Sequence, residues 1–236
     1  MIDLYYYTSP NARKILIALE ELGLEYNIKW TDITAGDQFA EEYVEVNPNS
    51  KVPAIVDCDG PDGRPLPLFE SGAILIYLAE KTGKLLPADP VLRYETIAWV
   101  FWQVANQGPM AGQAAHFSTY APKAGHDIPY ARGRYANEIN RVYKVLDDHL
   151  EDREYIVGDS YTIADIASFT WTRVAKGHGI ALGDYPNVAR WSALIAERPA
   201  AKVKVNDARE AQAMHDNKNY SKEQFQTLFR PEGQSV

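Results

Sequence analysis

The sequence predicts an α/β domain followed by an all-α domain, and three observations support this fold class. Strand-like and helix-like runs alternate over residues 1–86, prolines mark a linker at Pro87–Pro90, and only helical spacing continues downstream. The chain has 236 residues, of which 46% are hydrophobic and 11% aromatic. A chain of that length and composition can bury a sizeable core without disulfide or metal support.

The first element is a short strand, because residues Ile2 to Tyr7 are mainly β-branched and aromatic. Ser9-Pro10-Asn11 ends the strand, and helical spacing of apolar residues then runs from Ala12 to Leu22, with Gly23 as the helix stop. Leu24 to Thr31 alternates apolar and polar residues and predicts a strand with one buried face. The chain therefore opens with a β-α-β unit.

The rest of the first domain is predicted as a helix, two strands and a final helix. Pro67 lies within the second of these strands, and proline cannot donate a ladder hydrogen bond, so this strand is expected at a sheet edge. The predicted elements are a short helix over Phe39–Val46, a strand over Val52–Val56, a turn over Asp59–Gly63, a strand over Leu66–Phe69 and a helix over Ala73–Lys81. The order of the first domain is therefore βαβ-α-ββα.

The second domain is predicted to be all-α. Helices are expected at about 90–120, 129–152, 162–177, 187–197 and 200–215, with Gly108-Pro109 bending or breaking the first of them. Thr162 and Asp165 have the spacing of a capping box, and we interpret Asp165 as structural because the cap occupies its carboxylate oxygens. The predicted domain limits are 1–86 and 90–215, with a C-terminal extension over 216–236.

Charge and composition exclude several classes of function. The chain carries 24 Lys and Arg against 32 Asp and Glu, a net charge of −8, and has no long basic run, so no nucleic-acid partner is expected. The N-terminus lacks the pattern of a signal peptide and no stretch is apolar for long enough to cross a bilayer, so we expect a cytoplasmic protein without a membrane partner. The five histidines are scattered without ligand spacing, and no metal is expected.

Several strings of the sequence resemble the glutathione transferase family. They are Ser9-Pro10-Asn11, residues 47–53 (NPNSKVP), residues 69–75 (FESGAIL), and residues 101–103 and 108–110 (FWQ and GPM). The resemblance covers about residues 1–200 and is closest to the bacterial nu class, of the disulfide-bond oxidoreductase type, and to its fungal nitrogen-regulator-like relatives. It implies a thioredoxin-like, glutathione-binding first domain, an α domain that forms much of the second-substrate pocket, and a homodimer.

The resemblance implies glutathione contacts at two pairs of residues. Val52 and Pro53 match a Val-Pro pair with a cis peptide bond in the family, and such a bond would turn the Val52 backbone outward. The Val52 N–H and C=O would then pair with the cysteinyl backbone of glutathione. An ordinary trans proline is the alternative. Glu70 and Ser71 open a helix, where unpaired amides and the dipole favour an anion such as the γ-glutamyl carboxylate. A capping role alone is the alternative for Ser71.

Four further residues are implied as glutathione ligands by their position in the family pattern. Gln38 and Lys51 match positions near the glycyl end, with surface solvation as the alternative. Ser50 stands where close relatives often carry asparagine. Arg134 belongs to an Arg-Tyr pair and would bind a carboxylate, with pairing to Glu138 on a solvated helix face as the alternative.

The catalytic centre is expected in the loop between the first strand and the first helix. A thiol with a pKa of about 8.5 is mostly protonated at neutral pH, and lowering the pKa by one unit needs about 1.4 kcal/mol of preferential thiolate stabilisation. Ser9 offers a hydroxyl and Asn11 an amide NH₂, beside the free amides of a helix start. One of the tyrosines at 5–7, or Cys58 at the predicted turn, is the alternative.

The single cysteine, Cys58, bears on the mechanism. Because it has no partner thiol, an internal dithiol cycle is excluded, and reducing a disulfide would need the sulfur of bound glutathione as nucleophile and a second glutathione to resolve the mixed disulfide. The resemblance also implies glutathione-dependent disulfide reduction, beside weak conjugation and organic hydroperoxide reduction.

The predicted function is a glutathione transferase that acts as a disulfide reductase. Its partners would be glutathione or glutathione disulfide as co-substrate and a small electrophilic or disulfide substrate. Two alternatives stay open at this point: a glutathione-binding regulatory module with little turnover, and a glutathione lyase or etherase acting on aromatic substrates.

Overall fold

The structure, a computed structural model, describes residues 1–205, 209–210, 213 and 220–229. The described chain divides into two compact units: Met1–Ile74 with the described residues from Val203 onward, and Leu75–Lys202. The first unit holds a mixed sheet with helices, and the second is built of helices. The predicted fold class is therefore confirmed, whereas the residue limits of the domains stay predictions.

A four-stranded sheet in the order β2-β1-β3-β4 forms the centre of the first unit. Its strands are β1 (Ile2–Tyr6), β2 (Tyr26–Trp30), β3 (Ala54–Asp57) and β4 (Leu66–Phe69). β1 runs parallel to β2 and antiparallel to β3, and β3 runs antiparallel to β4. Pro67 lies in β4 at the edge of the sheet, as predicted, because an edge strand tolerates a residue without an N–H.

Three helices accompany this sheet along the chain: α1 (Pro10–Leu22), α2 (Glu41–Val44) and α3 (Ser71–Thr82). α1 packs against β1 and buries its residues from Lys14 to Leu19, and it ends at Gly23, whose φ of 67° confirms the predicted helix stop. The helix predicted over 39–46 is shorter, since a 3₁₀ turn over Asp37–Phe39 precedes α2.

The register of the sheet brings three segments of the first unit to one end. Tyr5 pairs with Ala54 in one antiparallel ladder, and Ala54 pairs with Phe69 in the next. Antiparallel pairing places the end of one strand beside the start of its neighbour. The residues that follow β1, precede β3 and follow β4 therefore meet at the same end of the sheet; they are residues 7–11, 50–53 and 70–71.

The second unit contains α3 from Leu75 onward and six further helices. They are α4 (Pro90–Trp102), α5 (Gly108–Ala115), α6 (Ala121–Lys123), α7 (Pro129–His149), α8 (Ile163–Thr172) and α9 (Pro186–Ala196), with 3₁₀ turns over Ala175–His178, Leu182–Asp184 and Pro199–Lys202. Asp89 at the predicted linker caps α4, because its Oδ1 accepts the N–H groups of Val91 and Leu92 at 3.0 Å each. A further helix, Lys222–Phe229, lies in the C-terminal segment and belongs to the first unit.

The helix that was expected to bend or break at Gly108-Pro109 does not break there. The helical run from α4 to α6 continues through this dipeptide by way of two π-helical segments, Gln103–Gln107 and His116–Tyr120. Proline normally clashes with the carbonyl four residues earlier, and a π segment directly before it widens the helix at that point. The wider turn accommodates Pro109 without ending the helix.

The helix predicted over 200–215 is wrong in its first part. Pro199–Lys202 forms only a 3₁₀ turn and residues 203–205 are not helical. The guanidinium of Arg13 donates a hydrogen bond to the Val203 carbonyl, a contact between residues far apart in the sequence that a helical pattern does not predict. Much of the remainder of this prediction lies outside the described residues.

Candidate functional site

The first segment of the site, after β1, is shaped by Ser9. Ser9 is the N-cap of α1: its Oγ accepts the Ala12 N–H at 3.2 Å, and Pro10 follows at the first helical position. Accepting one hydrogen bond leaves the hydroxyl proton of Ser9 available to donate. The same serine can therefore build the helix start and act as a donor to a sulfur beside it.

Asn11 is the second residue of α1 and is half-buried. Its position on the first turn places its side chain beside the helix N-terminus, where the helix dipole favours negative charge. An amide NH₂ has two donor hydrogens. Asn11 and the start of α1 together offer the donors that a thiolate requires.

The tyrosines of β1 are engaged in packing. Tyr6 is buried and its hydroxyl donates to Glu210 Oε1 at 2.9 Å, and burial, followed by the charge of Glu210, raises the pKa of Tyr6 to about 12. Tyr5 packs edge-to-face on Tyr43 with ring centroids 5.3 Å apart, and buried Tyr7 lies 5.4 Å from the ring of Trp30. The hydroxyl proton of Tyr6 is thus committed to a carboxylate, which favours Ser9 and Asn11 over Tyr6 as thiolate donors.

The second segment, before β3, presents open backbone groups at Val52. The Val52–Pro53 peptide bond is cis. The N–H and C=O of Val52 form no hydrogen bond with another described residue, whereas the Lys51 carbonyl accepts both the Tyr43 hydroxyl and Asn47 Nδ2 at 2.5 Å each. The loop is therefore held at Lys51 and leaves the Val52 backbone free to pair with a ligand.

Ser50 is held in a left-handed backbone conformation, with a φ of 52°. Its N–H donates to the Asn47 carbonyl at 3.0 Å, which closes the turn. A side chain disfavours this conformation, and glycine and asparagine adopt it most readily. The conformation of this turn thus depends on the residue at position 50 through its backbone.

We predict that Ser50→Gly raises the free energy of unfolding by about 0.5–1 kcal/mol, because glycine removes the left-handed penalty but has the more flexible unfolded chain. Denaturant unfolding measures the change. Ser192→Gly in the interior of α9 is the matched control and should lower the free energy of unfolding by about 0.5 kcal/mol. A loss of stability in Ser50→Gly would contradict the strain at this turn.

Gln38 is buried with only 4% of its surface exposed, so surface solvation is the wrong explanation for it. Its Nε2 donates to the Ile33 carbonyl at 3.1 Å, and its Oε1 has no hydrogen-bond partner among the described residues. Lys51 in the next loop is exposed. Gln38 thus holds the loop before α2, and the Lys51 side chain is accessible to an anion.

The third segment, after β4, joins an unusual backbone conformation to a helix start. Glu70 has a φ of 69° although it is not a glycine, and its side chain is exposed. Such conformations are concentrated at functional sites. Ser71, the first residue of α3, is buried at 7% exposure. An acidic side chain and a hydroxyl therefore flank the N-terminus of α3.

Lys14 is the residue of this site that sequence reasoning missed. It is 1% exposed, and its Nζ donates to Ser71 Oγ at 3.1 Å. Burial lowers the pKa of Lys14 to about 7, although the charge of Glu70 opposes the shift. The signal was present, because Lys14 directly precedes the apolar run Ile15–Leu19, and a helix that is apolar on all sides is buried.

The second unit contains Arg134, on the surface of α7. Its guanidinium donates to Glu138 Oε2 at 3.4 Å, and its side chain is 56% exposed. Glu138 also binds Arg141 at 2.6 Å. The i,i+4 pairing that the sequence left open is therefore present, and an exposed pair of this kind is weak enough to be exchanged for another anion.

Cys58 is exposed and lies in the turn directly after β3, and it forms no disulfide. Within the described part of the chain, no group of three or more His, Cys, Asp or Glu residues could hold a metal ion. Of the helices that the structure describes, none is both long and apolar enough to cross a membrane.

The fold and the three segments define a thioredoxin-like sheet unit followed by a helical unit, and this is the organisation of one known family. The N-terminal domain of glutathione S-transferase matches residues 8–81, and the C-terminal domain of glutathione S-transferase matches residues 126–199. The chain belongs to the glutathione S-transferase family, as its motifs indicated.

Particular relatives are similar over most of this chain. It is 47% identical over 201 residues to the disulfide-bond oxidoreductase YfcG of Escherichia coli K12, covering 85% of this chain and 92% of that protein. A Pseudomonas putida glutathione transferase with one glutathione disulfide bound per subunit has a TM-score of 0.80 and 42% identity, covering 85% of this chain and 89% of its own. A Burkholderia graminis glutathione transferase with two glutathione molecules bound per subunit has a TM-score of 0.79 and 43% identity, and the match covers 93% of this chain and 89% of that one.

Proposed function

We propose that this protein is a glutathione-dependent disulfide-bond oxidoreductase of the nu class, which uses the thiolate of bound glutathione as its nucleophile. The observation that carries the proposal is the convergence of three segments at one end of the sheet, through the pairs Tyr5–Ala54 and Ala54–Phe69. These segments supply thiolate donors, an open backbone edge and an anion-binding helix start. The names of the relatives support both the ligand and the reaction.

The three segments suit different parts of glutathione. The N–H and C=O of Val52, ahead of Pro53, would pair with the cysteinyl backbone as an additional strand does. Ser71 and the start of α3 would bind the γ-glutamyl carboxylate, and the exposed Glu70 carboxylate would bind the γ-glutamyl ammonium. The cysteinyl sulfur is then left for Ser9 and Asn11.

Other residues are proposed in supporting positions. Exposed Lys51 would pair with the glycyl carboxylate. Gln38 and Ser50 would act by shaping the loops around the glycyl end of glutathione, since Gln38 binds the Ile33 carbonyl and Ser50 closes a turn. Arg134 stays the proposed carboxylate ligand of the helical unit.

The proposed reaction consists of two thiol–disulfide exchanges. The glutathione thiolate attacks one sulfur of the substrate disulfide, so a mixed disulfide forms and one substrate thiolate leaves and takes up a proton. A second glutathione thiolate attacks the glutathione sulfur of the mixed disulfide, which yields glutathione disulfide and the second substrate thiol. Two electrons pass from two glutathiones to the substrate, and Cys58 takes no part. Weak conjugation and organic hydroperoxide reduction would use the same thiolate.

A homodimer is proposed as the assembly. α4 exposes an apolar stripe at helical spacing, with Val91 75%, Tyr94 71% and Phe101 61% exposed. A second copy of the chain would cover this stripe, and sedimentation velocity of the purified protein measures whether it does. The cytoplasmic location expected from the sequence stays a prediction.

We predict that Cys58→Ser retains disulfide reductase activity within about twofold, because an exposed serine replaces an exposed thiol that the reaction does not use. The measurement is NADPH consumption with purified protein, glutathione, glutathione reductase and hydroxyethyl disulfide. Omitting glutathione should abolish turnover in both proteins. Loss of activity in Cys58→Ser would show that the protein's own thiol is the nucleophile.

The same assay tests the alternatives, which the comparisons do not favour. Micromolar binding of glutathione without turnover of hydroxyethyl disulfide would indicate a regulatory module. Inactivity on disulfides together with cleavage of aryl ethers would indicate a glutathione lyase or etherase. Either result would overturn the proposed reaction while leaving the ligand unchanged.

A further inference from the structure

A buried amine lies directly behind the proposed γ-glutamyl site, and the reaction above does not use it. Lys14 on α1 is 1% exposed, and its Nζ lies 3.1 Å from Ser71 Oγ at the start of α3. A lysine is almost never fully buried unless its charge is compensated. Its contact with the hydroxyl proposed to bind the ligand therefore needs an explanation.

The protonation state of Lys14 decides which way the Ser71 hydroxyl can donate. An ammonium has three donor hydrogens and no acceptor, so Ser71 Oγ must accept from it and keep its own proton for another partner. A neutral amine has a lone pair and can accept that proton instead. The charged form of Lys14 thus always leaves the Ser71 proton for a carboxylate at the helix start, whereas the neutral form competes for that proton.

Charged and titratable groups near Lys14 lie on α1, on the adjacent strand and at the start of α3. Burial lowers the pKa of Lys14 to about 7, and the charge of Glu70 is the one that opposes this shift. Arg13, next to it on α1, lies 4.0 Å from Glu210, and Tyr6 on the adjacent strand donates to that same carboxylate. A carboxylate bound at the Ser71 hydroxyl would lie one hydrogen bond away from the group that Lys14 contacts and would raise the pKa of Lys14, whereas the γ-glutamyl ammonium bound at Glu70 would oppose part of that rise.

We propose that Lys14 is a positioning residue of the glutathione site and that ligand binding is coupled to proton uptake. The Lys14 ammonium donates to Ser71 Oγ, so the Ser71 hydroxyl donates its own proton to the γ-glutamyl carboxylate. Binding therefore favours the protonated form of Lys14. This inference rests on the proposed function, because it assumes glutathione at Ser71. The affinity should fall as the pH rises above about 7, since an increasing share of the protein must then take up a proton in order to bind.

The test is isothermal titration calorimetry of the whole protein with S-methylglutathione, whose blocked thiol cannot release a proton. Titrations at pH 8 in buffers of different ionisation enthalpy give the number of protons taken up. We expect at least about half a proton more per site for the wild type than for Lys14→Met, because the Lys14 amine has a pKa of about 7 before the ligand binds. We also expect about tenfold weaker binding by Lys14→Met at pH 6.5, where the wild-type amine is mostly charged.

Matched variants separate positioning from simple charge and from folding. Lys29→Met removes an exposed lysine of β2 and should change neither proton uptake nor affinity. In a Ser71→Ala background, Lys14→Met should weaken binding less than twofold, because the hydroxyl that it orients is gone. Circular dichroism melts check that Lys14→Met folds, as expected when a buried charge is replaced by an apolar side chain of similar length.

The outcomes distinguish the two proposals. If the wild type does not bind S-methylglutathione or glutathione, the proposed function fails. If it binds but Lys14→Met shows the same proton uptake and affinity, only the role of Lys14 is overturned. A tenfold loss of equal size with and without Ser71 would also overturn it, because Lys14 would then act directly rather than through the serine.

Discussion

Replacing Asn11 by alanine should lower the rate of glutathione-dependent disulfide reduction by about 10²- to 10³-fold. This is the usual effect of removing one preorganised hydrogen-bond donor that stabilises an anion. Asn11 lies on the first turn of α1, beside the N-cap Ser9, and its NH₂ is the proposed donor to the glutathione sulfur. The loss should appear as a higher pKa of bound glutathione, measured from the ultraviolet absorbance of the thiolate against pH. Binding of S-methylglutathione should change by less than about threefold, because it has no thiolate.

Asn27→Ala is the matched control for this prediction. Asn27 is an exposed residue of β2 whose side chain contacts Asp3, and it is not part of the proposed site. Its replacement should leave the rate unchanged. If Asn11→Ala kept the wild-type rate and thiolate pKa, the assignment of Asn11 as thiolate donor would be wrong, and Ser9 and the helix amides would remain as the donors to test.

Asp165→Ala should lower the free energy of unfolding by about 3–5 kcal/mol, the loss typical of breaking a buried charged network. Asp165 is fully buried at the start of α8, and its carboxylate accepts four hydrogen bonds. Oδ1 accepts the Ile156 N–H and Trp191 Nε1 at 2.9 Å each, and Oδ2 accepts the Thr162 N–H at 2.8 Å and its hydroxyl at 3.1 Å. Alanine would leave these donors buried without an acceptor.

Thermal unfolding followed by circular dichroism measures this effect, and a fall of roughly 10 °C in Tm is expected for a chain of this size. Asp152→Ala, an exposed aspartate of the same unit, is the control and should stay within about 0.5 kcal/mol of the wild type. Asp165→Asn should be intermediate, because it keeps one acceptor oxygen but turns an NH₂ toward a donor. An Asp165→Ala protein as stable as Asp152→Ala would refute the structural role.

The elements that sequence patterns predicted well are those with local causes. Alternation and β-branching located β1 and β2, Gly23 ended α1, Pro67 placed β4 at an edge, and the T-x-x-D spacing located the cap of α8. Each of these signals depends on residues within a few positions of one another.

The errors have non-local causes. The helical run at Gly108-Pro109 continues because a π segment precedes the proline, and residues 203–205 leave the predicted helix where Arg13, far away in sequence, binds Val203. A helix pattern does not report a turn geometry or a distant side chain.

The candidate site also has features that the sequence indicated and features that depend on contacts between distant residues. The family motifs indicated Ser9, Asn11, Val52 and Ser71 as residues of one site. They did not show that Ser9 is the N-cap of α1 or that the Val52 backbone has no hydrogen-bond partner within the described part of the chain. Gln38 shows the opposite case, since the sequence left surface solvation open and the structure buries it. Its surroundings depend on the loop closing back on Ile33, which no short string encodes.

Periodicity, local motifs and a count of one cysteine were enough to predict the order of the elements in the first unit, the two-part architecture, the family and the exclusion of an internal dithiol cycle. Two other contacts are visible only in the folded chain: the carboxylate of Asp165 also binds Ile156 and Trp191, and Lys14 is buried against Ser71. Both contacts join residues far apart along the chain. The burial that gives each contact its energy is created by packing between elements, and it is therefore a property of the folded chain rather than of any segment of it.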